Sequence, residues 1–250
     1  MKNRYALASI AVAALASVPA HAAGGKTAYD YGAKNGPEHW GQLHSDYAIC
    51  ESGNMQSPVD LAGANATGNV AIAVDYKSGP LAVSNKGLTV QADFAPGSSM
   101  TSGGMTFNLI QIHFHTPSEH AISGKRFPLV GHFVHATADG KLGVLGVMFE
   151  EGAANSELAK ILDAVPATKS DVKGGTGNMI NPAAMLPEDL AVYRYMGSLT
   201  TPPCSEGVNW HVLSDTVSAS AEQIAAFEKL MGNSARPVRA LNNRLLVAPE

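Results

Sequence analysis

The chain has 250 residues, 45% of them hydrophobic and 15% charged, which is enough apolar side chain for one sizeable core, with no long polar linker to divide it. Its formal net charge of -4 leaves no basic stripe to follow a phosphate backbone, so nucleic acid is not an expected partner. One domain is the simplest reading.

Taken in order, Met1 to Ala22 reads as a secretory signal: Lys2 and Arg4 open it, Ala6 to Val18 form the apolar stretch, and Ala20-His21-Ala22 offers a small-residue cleavage site. The mature domain is then expected over 23–250. The apolar run is short and Ala-rich for a bilayer span, and no cysteine beside the cleavage site invites lipid anchoring. Nothing later is long enough for a transmembrane helix. The expected form is periplasmic or secreted, with no membrane insertion after signal cleavage. Cys50 and Cys204 are the only cysteines, and an even count in an exported chain suits a disulfide, although the sequence does not show that they meet.

Residues 23–37 are polar and Gly-containing and read as an arm laid across the body. His39 and Trp40 begin a loop that runs through Gln56-Ser57-Pro58, where small residues and proline oppose regular structure. Strand-like runs follow at Val70 to Tyr76, Leu81 to Ser84, Leu88 to Phe94, Met105 to His115, Leu129 to Thr137 and Leu142 to Phe149. They are short, rich in Val, Ile and Phe, and punctuated by turn residues, which is the pattern of a mainly antiparallel β protein. Ala138-Asp139-Gly140-Lys141 reads as a hairpin turn that pairs the last two runs. Helical periodicity is firm at Ser156 to Val165 and at Ala221 to Met231, the second with Ser220 and Gln223 placed as a capping box. Between them lie a Gly-rich loop at 174–177, a turn at 185–187 and a strand near Leu190 to Tyr195. Val208 to Leu213 and Leu241 to Val247 complete the strands. The Gly cluster lacks the strand-to-helix setting of a phosphate loop, and there is no internal repeat, Gly-x-Ser-x-Gly, His-Glu-x-x-His or Cys-x-x-Cys.

Two runs carry chemistry: Gln111-Ile-His113-Phe-His115 and Val130-Gly-His132-Phe-Val134-His135. Period-two alternation sends His113 and His115 to one strand face and His132 to the corresponding face of its own run, so three imidazoles converge if the strands pair. Three nitrogens leave a tetrahedral zinc one open position, which distinguishes a catalytic site from a closed structural one. Taken alone, His-x-His fits two ordinary strand histidines as well as a metal pair. Gln111 shares the face of His113 and His115 and is placed to bond His113 as an outer partner. Val134 shares the face of His132. His135 alternates away and reads as structural, as does His211 beside Trp210. His39, His44 and His120 read as structural or solvent-facing.

Six blocks then follow one another in a recognisable order: Tyr31-Gly-x-x-Asn35-Gly-Pro-Glu-His39-Trp40, Gln56-Ser-Pro-Val-Asp60, Gln111-Ile-His-Phe-His115, Ser118-Glu119-His120, His132-Phe-Val-His135 and Gly197-Ser-Leu-Thr-Thr-Pro-Pro203. In order and spacing, over nearly the whole mature chain, this resembles the α-class carbonic anhydrases. The resemblance implies a mainly β fold in a single domain, with a large, mostly antiparallel twisted central sheet, few short surface helices, and zinc at the base of a conical cleft. It implies His113, His115 and His132 as zinc ligands, and a zinc-bound hydroxide that hydrates carbon dioxide to bicarbonate and a proton. Thr200 and Glu119 match the pair that orients the hydroxide, and Thr201 the residue beside bicarbonate. Val134, Val144, Leu199, Val208 and Trp210 match the apolar wall for carbon dioxide. The resemblance also pairs Cys50 with Cys204, which would brace the loop carrying Thr200. Without it, Thr200 is a loop threonine, Glu119 a surface acid, and the wall residues ordinary core.

Two positions depart from the family pattern. Where many fast members have a proton-shuttling histidine, this chain has Leu88; where many have a glutamate two residues before the third ligand, bonded to that histidine, it has Val130. An exported zinc-binding module with little catalysis is therefore the second reading. Because all three ligand histidines, Thr200 and Glu119 are present, the enzyme is the expectation. The sequence leaves the oligomeric state open.

Overall fold

The computed structural model describes residues 28–175 and 177–250. The signal segment at 1–22 and the start of the mature chain lie outside the described residues. One thirteen-stranded sheet dominates. Its central path runs Ala66–Thr67, Leu246–Ala248, Val192–Ser198, Glu206–Leu213, Leu142–Glu151, Leu129–Ala136, Met105–His115, Val90–Asp93, Val83–Asn85 and Ser170–Gly174. Most neighbours are antiparallel, but Glu206–Leu213 and Val217–Ala219 lie parallel to Leu142–Glu151, and Ala66–Thr67 lies parallel to Leu246–Ala248. The sheet is therefore mixed. Strands that pair across long stretches of sequence carry no hairpin turn to reveal their direction.

Several expected boundaries hold closely. Met105–His115 is a strand over its whole expected span, Leu129–Ala136 and Leu142–Glu151 pair across the expected turn, and Gly140 takes the positive φ of 85° that this turn requires. The helices form at Ser156–Ala164 and Ala221–Met231, and the Ser220/Gln223 capping box is made in both directions. The last strand is shorter than expected, covering only Leu246–Ala248. Ser99–Ser102 and Ser170–Gly174 are strands that their polar composition did not suggest.

The sheet separates two apolar regions. On one side Phe107, Leu109, Ile112, Phe114, Phe133, Leu145, Val147 and Phe149 pack with both helices in the main core. On the other Val59, Leu61, Val130, Val134, Val144, Met148, Tyr195, Val208 and Trp210 form a second cluster. A bulge decides which residues of Met105–His115 face which side: Leu109 lies opposite His135 and Gln111 opposite Val134, with Ile110 left over and 44% exposed. Before the bulge the odd residues Phe107 and Leu109 enter the main core, and after it the even residues Ile112 and Phe114 do. That switch frees Gln111, His113 and His115 to face the other way.

Candidate metal centre

His113 and His132 are direct cross-strand partners, and His115 stands one alternation further along its strand. The three ring centroids lie 5.0 to 5.2 Å apart. One nitrogen of each falls within 4.8 Å of the others, a geometry able to hold one metal ion.

Hydrogen bonds fix which nitrogens these are. His115 Nδ1 donates to the Ser234 carbonyl at 2.7 Å, and His113 Nδ1 donates to Gln111 Oε1 at 3.0 Å. Both acceptors force the proton onto Nδ1 and leave Nε2 with a bare lone pair. His115 Nε2 is buried without a partner among the described residues. His132 presents the other edge: its Nδ1 lies 3.8 Å from Glu119 Oε2, the same oxygen that lies 3.5 Å from His115 Nε2. The converging set is therefore Nε2, Nε2 and Nδ1. This donor set passes the test for zinc, which takes neutral imidazole nitrogens, and the unpartnered buried lone pair is what a cation would satisfy. Burial favours the neutral form as well. It holds His113 down to about 3 and His132 well below its ordinary value, with the neighbouring imidazoles adding to both shifts.

Glu119 is fully buried, its Oε1 accepting from the Arg236 backbone N–H at 2.9 Å while Oε2 has no partner among the described residues. Thr200 is buried on the loop after Val192–Ser198, and no hydrogen bond joins it to Glu119 among the described residues. That loop is tied down by the Cys50–Cys204 disulfide, whose Cα atoms are 5.1 Å apart. Val134, Val144, Val208 and Trp210 all belong to the second apolar cluster, with Leu199 packed against it.

A cleft of about 270 Å³ opens over His113 and His115, lined also by Tyr29, Tyr31, Lys86, Leu88, Gln111 and Thr201. Leu88 thus stands on the cleft wall. His44 caps its own turn, accepting from the Asp46 N–H, and is not a lining residue. Of the two roles expected for His120, structural or solvent-facing, it takes the first: it is fully buried, with Nε2 2.7 Å from the Tyr195 hydroxyl.

Sequence reasoning missed three contributors. The arm it left without a role brings Tyr29 and Tyr31 into the cleft beside Thr201, where burial raises the Tyr29 phenol's pKa and the Thr201 side chain partly offsets the rise. Both rings pack edge-on against Trp40, and the Tyr31-Gly-x-x-Asn35 block was the available signal. Ser234 and Arg236 act through a backbone carbonyl and a backbone N–H, so no side-chain pattern could have shown them.

Residues 35–248 match the family described as eukaryotic-type carbonic anhydrase. A carbonic anhydrase of Pectobacterium atrosepticum is 41% identical over 251 residues, covering 99% of this chain and all of that protein. One from Pectobacterium carotovorum is 42% identical over 220 residues, covering 88% of this chain and 90% of that protein. Among solved structures, a hyperthermostable carbonic anhydrase from an active hydrothermal vent chimney superposes with a TM-score of 0.85 at 42% identity, covering 89% of this chain and all of that one. A match running from the arm to the last strand, at this identity and with the histidines converging at its centre, means that the chain belongs to the eukaryotic-type carbonic anhydrase family.

Proposed function

We propose that the chain catalyses the reversible hydration of carbon dioxide to bicarbonate and a proton, with zinc held by His113 Nε2, His115 Nε2 and His132 Nδ1. The convergence of these three nitrogens carries the reading. Bound zinc supplies a Lewis acid that activates water near neutral pH, and carbonic anhydrase is itself the reference case, with a pKa of about 7.

The chain's own residues supply placement. Val134, Val144, Leu199, Val208 and Trp210 offer an apolar wall to a small apolar substrate, because a polar wall would hold water there instead. Glu119, anchored at Oε1 by Arg236, keeps Oε2 as a free acceptor. Thr200 is assigned as the hydroxyl that donates to it and so holds the attacking oxygen's lone pair toward carbon, which is a positioning effect. Thr201, which lines the cleft beside Tyr29, is assigned to bicarbonate. Leu88 cannot carry a proton, so the released proton leaves to external buffer.

Residues 1–22 are proposed as a cleaved signal peptide and 23–250 as the mature domain, in the periplasm or outside the cell. The Cys50–Cys204 disulfide suits an oxidising compartment, and no helix among the described residues is long and apolar enough to cross a membrane. N-terminal sequencing of protein from the periplasmic and extracellular fractions tests this. For the activity, the experiment is zinc content measured beside carbon dioxide hydration. Stoichiometric zinc with hydration is expected; stoichiometric zinc without hydration would favour a zinc-binding module instead.

A further inference from the structure

His132 differs from the other two ligands in what lies behind it. Its Nε2, on the side away from the convergence point, is buried without a partner among the described residues. With Nδ1 given to a metal, Nε2 carries the ring proton and is a donor. In relatives with a glutamate two residues before the ligand, a carboxylate accepts that proton. Here the position is Val130, fully buried in the second apolar cluster.

A second unpartnered nitrogen lies close by. His120 Nδ1 is also buried without a partner among the described residues, and its ring centroid is 6.3 Å from that of His132, with the planes 77° apart. Trp210 packs against both rings, at 4.7 and 4.9 Å. The protonation of His120 follows from the chain of hydroxyls behind it. Ser57 Oγ accepts from the Ser198 N–H at 3.0 Å, and its own proton has one acceptor among the described residues, the Tyr195 oxygen at 2.8 Å. Tyr195 must then donate to His120 Nε2 at 2.7 Å, which places the His120 proton on Nδ1. Both unpartnered nitrogens are therefore donors. They cannot satisfy each other, and one atom that accepts twice would satisfy both.

Resting on the zinc reading above, we propose that one buried water bridges His132 Nε2 and His120 Nδ1 and takes the place that a glutamate holds in other members. A neutral oxygen with two lone pairs meets both donors. An anion would have to shed its hydration against Val130 and Trp210. The bridge extends a line of hydrogen bonds from His132 through His120, Tyr195 and Ser57 to Ser198, whose hydroxyl donates to the Leu199 carbonyl just before Thr200. His120 thereby acts as a positioning residue for the third ligand. The carboxylate replaced by the water is an outer-sphere partner of a kind for which carbonic anhydrase is the reference case, at about 10 to 100-fold in metal affinity or activity.

The test is a high-resolution crystal structure of the zinc-loaded protein, joined to NMR that reads the histidine ring tautomers. The expected result is one oxygen within about 3.2 Å of both nitrogens, with His120 protonated at Nδ1. A chloride identified by anomalous scattering, a protein group on His132 Nε2, an empty space, or the opposite His120 tautomer would overturn the proposal. Zinc release to a chelator supplies the second arm: Val130→Glu places a carboxylate on the two donors, and release should slow by about 10 to 100-fold. A folded Val130→Glu protein that releases zinc no more slowly would also overturn it. If that variant does not fold, the crystal and NMR arms on the parent decide. Protein that binds no zinc would defeat the metal reading instead, a separate failure visible in the metal content.

Discussion

His132 and His135 sit three residues apart on one strand, face opposite sides of the sheet and are equally buried, yet they are opposites in chemistry. His135 is satisfied at both nitrogens: Nε2 accepts from the Tyr76 hydroxyl at 2.8 Å and Nδ1 donates to the Gly143 carbonyl at 3.3 Å. His132 has neither bond and stands instead against two other histidines. Burial lowers the pKa of both rings, so a shifted pKa does not separate a metal ligand from a structural histidine here. Convergence does: His132 meets His113 and His115 at one point, whereas a buried unpartnered nitrogen is shared by His120 and His211 as well.

The largest expected effect breaks the comparison if it fails. His132→Ala should lose most bound zinc and reduce hydration to the uncatalysed rate. His135→Ala should keep zinc but lose stability, at about 1 to 3 kcal/mol for each buried group left unpaired. Metal analysis and urea unfolding of both variants decide; a folded His135→Ala protein without zinc would erase the distinction. The disulfide belongs on the structural side of the comparison. Replacing Cys50 and Cys204 by serine should cost about 2 to 5 kcal/mol in unfolding experiments, with zinc content unchanged in the folded fraction.

Gln111→Ala probes a middle case, the outer partner of a ligand. Zinc release to a chelator should quicken by about 10 to 100-fold, a range drawn from carbonic anhydrase itself, while unfolding stability changes little. The structural histidine should instead reveal itself in acid. Burial holds His135 at about 4, against 6.5 for the free ring, so the unfolded chain takes up its proton first as pH falls. The stabilisation is complete above about 6.5 and is lost as pH drops toward 4, at about 1.4 kcal/mol per pH unit. Urea unfolding across that window should show a shallower fall for His135→Gln. The smallest effect concerns Leu88, on the cleft wall but in neither class. Turnover of the parent should rise with imidazole buffer, and Leu88→His should raise it at low buffer alone, leaving zinc and stability as they were. Fast turnover independent of buffer would show an internal proton route that bypasses this position.

The ligand strand was legible in the sequence to its last residue because His113 and His115 interrupt an unbroken β-prone run, and the capped helix at 221–231 because its two capping side chains, Ser220 and Gln223, are three residues apart on either side of its start. The bulge at Ile110 was not, since an isoleucine in a strand reads the same whether paired or left over. Nor was the parallel pairing of Glu206–Leu213, which depends on contacts across more than fifty residues of intervening chain. At the site, side-chain chemistry could be read and backbone chemistry could not. Strand alternation places the three histidines and Gln111 on one face, and the family resemblance singles out Glu119, whereas the carbonyl of Ser234 would serve equally well from almost any residue type.

That carbonyl also sets an order of events in biogenesis. Ser234 fixes the tautomer of His115, 119 residues earlier, and the Arg236 amide anchors Glu119, 117 residues earlier, while the Arg236 guanidinium reaches back to the carbonyls of Cys50 and Ser57. Every ligand histidine is synthesised well before these clamps. A nascent chain that has extended only to the hairpin therefore holds His115 without the acceptor that fixes its tautomer and Glu119 without its anchor, and the site is complete only once the segment at 234–236 has followed. If the chain crosses a membrane unfolded, the ion is acquired on the far side, from whatever supply that compartment holds.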